Sequence, residues 1–274
     1  MTEILRGDSR RAILELLTEA PALFCFLDYD GTLAEIAPRP EMARPVRGAR
    51  EVVSSLARLP RVYVAIVSGR RAEELRDLVA AEGVFYIGVH GGETIAPQGE
   101  RCVAVDLAAI KPAARYVREL LRSVVQSLKG VWIEDKELAF ACHTRLASPD
   151  VRKRAEETLM RVYEQVKQSN APFELLRGHC VFEFRPVGVN KGSAILKTWR
   201  KTAPEALPMY AGDDVTDEDA FQALLDQGLT IRVGCDSAGS AARYCVETPT
   251  ELVGFLKELW EARRGKLGLP KTSC

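Results

Sequence analysis

The sequence predicts an α/β protein: a mostly parallel sheet covered by helices on both faces, interrupted by a smaller inserted α+β layer. Three observations carry that reading. Short apolar runs alternate with helical stretches early in the chain, and the same rhythm returns in the last third. Between them the pattern changes to short paired strands and two long helices.

In the first part, LFCFLD (23–28), VYVAIV (62–67) and VFYIGV (84–89) are continuous apolar runs of strand length, as strands buried on both faces require. Residues 46–59 and RRAEELRDLVAAEG (70–83) carry helical periodicity, the second stopping at Gly83. In the middle, 112–128 and 149–168 read as helices. VWIED (131–135) with LAFACHTR (138–145), and FELLR (173–177) with CVFEFR (180–185), read as hairpins around the turns Lys136-Glu137 and Gly178-His179. The last third gives a helix over 191–202, the strand LPMYAG, a helix near 217–227, the strand LTIRVG and a helix near 249–264. The expected boundaries are 1–108 and 187–274 for the larger domain and 109–186 for the insertion. With no repeat or Gly/Ser linker in the chain, the two would join through short hinges near 107–111 and 185–188.

Composition excludes several classes of function. Lys+Arg and Asp+Glu number 38 each, so no domain-wide basic field favours nucleic acid and no polybasic tail favours a membrane surface. The seven cysteines form no CxxC pair and their number is odd, which reads as apolar filling in a reduced compartment. MTEILRGDSRR has no apolar signal-peptide core, and a cytoplasmic location is expected.

The chemistry concentrates at strand ends. Asp28 and Asp30 straddle the end of the first strand, where side chains two apart share a side. Two carboxylates at about 4 Å repel by about 4 kcal/mol at an effective dielectric of 20, so a cation, a shared proton or solvent must offset them. A hard divalent ion such as Mg2+ suits an all-oxygen set, although Asp and Gly are also ordinary turn residues. VYVAIVSGR stops at Ser68 before a helix whose N–H groups favour an anion, or for which Ser68 is a plain cap. Lys191 opens a helix, where the dipole disfavours a cation by up to about 1 kcal/mol, so it reads as a surface lysine or a functional one. LPMYAGDDVTDEDAF places Asp213 and Asp214 directly after a strand. An acidic helix start with Thr216 as cap and Asp219 at its third position would account for 217–219 only. The carboxyl ends of parallel strands share one edge, so these four stretches converge on a site suited to a metal-bound phosphoryl group.

DYDGT, the strand into SGR, the isolated Lys191 and GDDVTDEDAF resemble, in order, the four motifs of the haloacid dehalogenase (HAD) superfamily of phosphohydrolases. GVHGGE (88–93), IEDKELAFACHTR (133–145) and GHCVFEFRPVGVNKG (178–192) are similar to the trehalose-6-phosphate phosphatases within it. The resemblance implies a Rossmann-like core with a substrate-reading cap, and Mg2+-dependent hydrolysis of trehalose 6-phosphate by a cytoplasmic monomer, completing trehalose biosynthesis. It implies Asp28 as nucleophile and Asp30 as acid and base. The metal would be held by Asp28, the Asp30 carbonyl and Asp213, with Asp214 on its waters. Ser68 and Lys191, with Gly31, Thr32, Gly69 and Arg70, would hold the phosphoryl group. In the cap, Glu134, Lys136 and Glu183 would bind the distal glucose, aided by His143 and Arg145. His90 and Glu93 could reach toward the substrate, or could form a polar turn. Another sugar-phosphate phosphatase (for sucrose-phosphate or a glycosyl-phosphoglycerate), a phosphomutase and a non-catalytic sugar-phosphate-binding protein stand as alternatives.

Overall fold

The computed structural model describes residues 2–178, 180–236 and 239–269; His179 of the expected hairpin turn lies outside them. The chain forms two compact units, Met1–Cys102 with Asn190–Cys274, and Val103–Val189.

The first unit opens with β1 (Glu3–Ile4), α1 (Gly7–Glu19), β2 (Leu23–Asp28), α2 (Ala49–Ala57), β3 (Val62–Val67), α3 (Ala72–Val79), β4 (Val84–Gly88), β5 (Glu93–Ile95) and β6 (Arg101–Val103). The second unit contains α4 (Leu107–Val125), β7 (Trp132–Asp135), β8 (Phe140–His143), α5 (Pro149–Gln168), β9 (Phe173–Gly178) and β10 (Val181–Pro186). The chain then returns through α6 (Lys191–Thr202), β11 (Leu207–Gly212), α7 (Glu218–Ala223), β12 (Leu229–Val233), β13 (Tyr244–Val246) and α8 (Pro249–Lys266).

In the first unit the sheet order is β1-β13-β12-β11-β2-β3-β4-β5-β6, with every pair from β1 to β4 parallel. The central strand β2 is buried along its whole length, which explains its unbroken apolar run. Leu23, Cys25 and Leu27 pack with α2, α3 and α8 on one face, while Phe24 and Phe26 pack with α6 and α7 on the other. Seven parallel strands therefore deliver their carboxyl ends to one edge, with β2 and β11 adjacent there.

In the second unit a four-stranded antiparallel sheet, β7-β8-β10-β9, packs one face on α4 and α5. Its register sends Ile133, Phe140, Cys142, Phe182 and Phe184 toward the helices. Trp132, Glu134, His143 and Glu183 fall on the opposite face.

Three expectations are corrected. Residues 107–111 are not a hinge but the first turns of α4, whose cap is Asp106, its side chain accepting the Ala108 N–H. Pro112, a common helix opener, sits inside that helix and so mislocates its start in the sequence. The cysteines are not all filling: Cys235 and Cys245 form a disulfide, Cα to Cα 5.5 Å, because adjacent β12 and β13 bring them together. The odd count had concealed an available pair. The cap before α7 is Asp214, not Thr216. Asp214 accepts the Asp217 N–H and Asp217 accepts the Asp214 N–H, in a reciprocal box.

Candidate active site

β2 ends at Asp28 and the chain turns at once. The Tyr29 carbonyl accepts N–H groups from Thr32, Leu33 and Ala34, and Gly31 adopts φ +78°. A Cβ at Gly31 would overlap the Asp213 carboxylate, so glycine is needed both for the backbone and for this approach. Thr32 is buried, and its hydroxyl donates toward Asp213 Oδ1 at 3.3 Å and Asp28 Oδ2 at 3.5 Å.

From the neighbouring strand β11, Asp213 arrives beside Asp28, and Asp217 follows from the turn before α7. Oxygens of Asp28, Asp213 and Asp217 all lie within 4.8 Å of one another. Lys191 enters from the first turn of α6, where Asn190 caps the helix by accepting the Ser193 N–H. It is no surface lysine. Its ammonium is buried and donates to Asp28 Oδ1 at 2.8 Å and to Asp217 Oδ1 at 2.7 Å. Burial alone would weaken its charge, but Asp217 and Asp28 outweigh that and hold it firmly protonated.

Asp217, fully buried, is saturated. Besides Lys191, the Tyr210 hydroxyl donates to its Oδ1, and the N–H groups of Asp213 and Asp214 donate to its Oδ2. Asp28 and Asp213 are less well compensated. Burial, then the neighbouring carboxylates, push Asp28 well up despite Lys191. Burial and Asp217 likewise raise Asp213 to about 7. One ammonium faces three carboxylates, and the site is short of positive charge. A hard divalent cation such as Mg2+ fits that deficit and that all-oxygen donor set, with Asp28 and Asp213 as its carboxylates.

Two of the expected metal-site residues place their side chains elsewhere. Asp30, expected to offer its backbone carbonyl to the metal, follows the strand end at Asp28, and its carboxylate lies outside the cluster of Asp28, Asp213 and Asp217. Arg70 instead holds both Asp30 oxygens, Nε to Oδ2 and Nη2 to Oδ1, each at 2.7 Å. The Asp214 side chain is engaged in the capping box.

Ser68 is buried at the end of β3, its hydroxyl accepting the Arg70 N–H at 3.2 Å. The Ser68 carbonyl accepts the His90 N–H, and a Cβ on Gly69 would meet the His90 ring at 2.5 Å. Ser68, Gly69 and His90 therefore form one tight layer, with His90 at φ +53° in a short turn after β4. Glu93 does not point to a ligand: it accepts the Ala72 N–H, capping α3, and pairs with Arg101. Arg70, expected on the phosphoryl group, is 4% exposed and committed to Asp30, Glu74 and the Pro40 carbonyl.

In the second unit, Glu134, Lys136, His143 and Glu183 form one polar cluster. Lys136 Nζ lies 3.0 Å from Glu183 and 3.9 Å from Glu134, and His143 Nε2 lies 2.9 Å from Glu134. Burial would raise the Glu134 pKa, but Lys136 and the His143 bond outweigh it and leave it lowered. Trp132, on the same strand face as Glu134, stacks on His143 at 4.0 Å between ring centroids. Its two-residue spacing from Glu134 was the available signal. Arg145 stands apart: β8 ends at His143, and Arg145 is exposed in the turn beyond.

The parallel sheet, with an aspartate ending its central strand and Lys191 and Asp213 meeting it there, is the arrangement of the haloacid dehalogenase-like fold. A haloacid dehalogenase-like hydrolase from Bacteroides thetaiotaomicron shares the fold, with a TM-score of 0.62 at 14% identity over 87% of this chain and 99% of that one. More particularly, residues 26–249 match the Trehalose-phosphatase family, and the chain belongs to it. The C-terminal domain of Candida albicans trehalose-6-phosphate phosphatase superposes with a TM-score of 0.82 at 25% identity, covering 95% of this chain and 98% of that one. The trehalose-phosphate phosphatase of Mycolicibacterium paratuberculosis is 34% identical over 85% of this chain and 61% of its own length. The chain spans 18% to 62% of the length of the curated relatives it matches. Among the described residues, no helix is long and apolar enough to cross a membrane.

Proposed function

We propose that this chain hydrolyses trehalose 6-phosphate to trehalose and phosphate through an aspartyl-phosphate at Asp28, with Mg2+ as cofactor. The observation that carries the reading is the meeting of Asp28, Lys191 and Asp213, from three separate stretches, in one buried set. In the first half-reaction an Asp28 oxygen bonds to phosphorus as the bond to the sugar oxygen breaks. That oxygen takes the electron pair and a proton from Asp30. In the second half, a water oxygen bonds to phosphorus, the bond to Asp28 breaks, and Asp30 receives the water's proton. Lys191 neutralises Asp28 before attack and meets charge on the phosphoryl oxygens in the transition state, with Ser68 and Thr32 as hydroxyl donors. When bound, Mg2+ held by Asp28 and Asp213 would neutralise the carboxylates and the phosphoryl group together. Asp217 fixes Lys191 and the Asp213 backbone. The cluster of Glu134, Lys136, His143 and Glu183 offers the donors and acceptors that glucose hydroxyls require.

Phosphate release from trehalose 6-phosphate and from glucose 6-phosphate, with and without Mg2+, tests the reading. The expected result is metal-dependent release that strongly favours the disaccharide. Equal rates on both would replace it with a general sugar phosphatase. Asp28→Asn should lower turnover by about three orders of magnitude or more and abolish labelling of the protein from radioactive phosphoryl substrate.

A further inference from the structure

We propose that Arg70 is a positioning residue for Asp30, fixing the carboxyl group that passes a proton to the departing sugar oxygen; this rests on the reading of the chain as a phosphatase. Arg70 is almost wholly buried, yet its guanidinium is aimed sideways at Asp30, whose side chain is 40% exposed. Both Asp30 oxygens are engaged at 2.7 Å, a two-pronged grip that fixes the plane of the carboxylate as well as its place. The guanidinium is itself held from three sides. Glu74 takes Nη1, the Pro40 carbonyl takes Nη2 at 2.6 Å, and the buried Tyr29 ring lies 5.3 Å from its central carbon. Glu74 stands on α3 and Pro40 on the segment after β2, so two elements brace one side chain against Asp30.

A cation so fully engaged is poorly placed to bind phosphate. It is well placed to orient a group that must change partners. When Asp30 gives its proton to the sugar oxygen, the O–H bond of the carboxyl breaks, a new one forms on the sugar, and the carboxylate left behind is the form Arg70 grips here. The need for Asp30 depends on the leaving group. A sugar alkoxide departs poorly without a proton, whereas p-nitrophenolate departs without one. Arg70 should therefore govern the rate of Asp28 phosphorylation by the first and hardly by the second, whereas the water step, which also uses Asp30, is common to both; loss of general structural support would not make that distinction.

The test compares the wild type with Arg70→Met, Arg70→Lys, Glu74→Gln, Asp30→Asn and the Arg70→Met/Asp30→Asn double variant. Substrates are trehalose 6-phosphate and p-nitrophenyl phosphate with Mg2+. Arg70→Met should lower the single-turnover rate of Asp28 phosphorylation by the sugar phosphate by about 100-fold with substrate affinity little changed, and that by p-nitrophenyl phosphate by less than about threefold. Arg70→Lys should recover part of the loss. In the Asp30→Asn background, Arg70→Met should cost nothing more. Equal losses of the phosphorylation rate on both substrates, weaker substrate binding in place of the slower step, or an undiminished effect without Asp30 would overturn the proposal. If Arg70→Met fails to fold, Arg70→Lys and Glu74→Gln report the same substrate ratio, and an unchanged ratio in both overturns it. A wild type inactive on both substrates removes the phosphatase reading itself, and the proposal with it.

Discussion

Asp217 carries a charge that solvent does not reach, and four donors account for it: Lys191, the Tyr210 hydroxyl and two backbone N–H groups. Without Asp217, Lys191 keeps Asp28 as its partner, but the Tyr210 hydroxyl and two backbone N–H groups lose their acceptor, at about 1–3 kcal/mol. Asp217→Ala should lose about that much in urea denaturation, and should lose turnover as well, since Lys191 and the Asp213 backbone both lean on it. Asp213 gives a pH dependence. Its ordinary pKa of 3.8 is raised to about 7, first by burial and then by Asp217, so across about pH 4–7 the metal-free folded chain keeps a proton that the unfolded chain has released. That contribution is lost as pH rises through the window. A cation binds the deprotonated form, so the rise in thermal midpoint on adding Mg2+ should be larger at pH 8 than at pH 5.5; equal rises would remove Asp213 from the metal site. Asp28, Asp213, Lys191 and Ser68 were legible in the sequence because each sits where a strand meets a turn or helix. The contacts of Arg70 with Asp30 and Pro40, and those of Tyr210 and Trp132, were not legible, because partners 30 or more residues away, or an aromatic inside an apolar run, leave no local pattern.

At the scale of elements, β2, β3 and β11 could be read because a strand buried on both faces must be apolar throughout. Caps read less well when the capping group comes from elsewhere. The helix α3 has Arg71 at its cap position with no side-chain bond, and the needed acceptor is Glu93 from β5, bound to the Ala72 N–H at 2.8 Å. The same carboxylate pairs with Arg101, so one buried group ties α3 to the hairpin beyond β4. Glu93→Ala should cost about 1–3 kcal/mol in denaturant titration, combining a lost cap with an unsatisfied buried donor. Because α3 carries Glu74, and Glu74 braces Arg70, the rate of Asp28 phosphorylation should fall more with the sugar phosphate than with p-nitrophenyl phosphate. The disulfide between Cys235 and Cys245 belongs to the same lesson, since only the parallel pairing of β12 with β13 makes those two cysteines neighbours.

For the molecule as a whole, the larger unit is assembled from two chain segments separated by the insertion, so its ends must be joined by contacts between residues far apart in sequence. The sequence shows no diagnostic motif in the first 20 residues or the C-terminal tail, and no spacing rule pairs the first residues with the last helix. The structure joins them closely. β1 adds to the sheet beside β13, Arg10 on α1 bonds twice to Glu258 on α8, and Lys266 reaches Glu19. Arg263 is the buried member of this set. Its Nη1 donates to the carbonyls of Leu17 at 2.5 Å, Ala20 at 3.0 Å and Thr18 at 3.4 Å, satisfying the end of α1 from α8. The exposed pairs around it are screened and each contributes at most about 1 kcal/mol. Arg263 differs, because its loss strands carbonyls that water cannot easily reach. Arg263→Met preserves the length of the stem and should cost about 2–4 kcal/mol, whereas Lys266→Met should cost less than about 1 kcal/mol. Below the denaturation midpoint, Arg263→Met should leave kcat and KM near wild type, because α1 and α8 pack on the sheet away from Asp28, Lys191 and Asp213 in every contact given above. A variant that kept its stability but lost turnover would place Arg263 in the chemistry instead of in the closure of the chain.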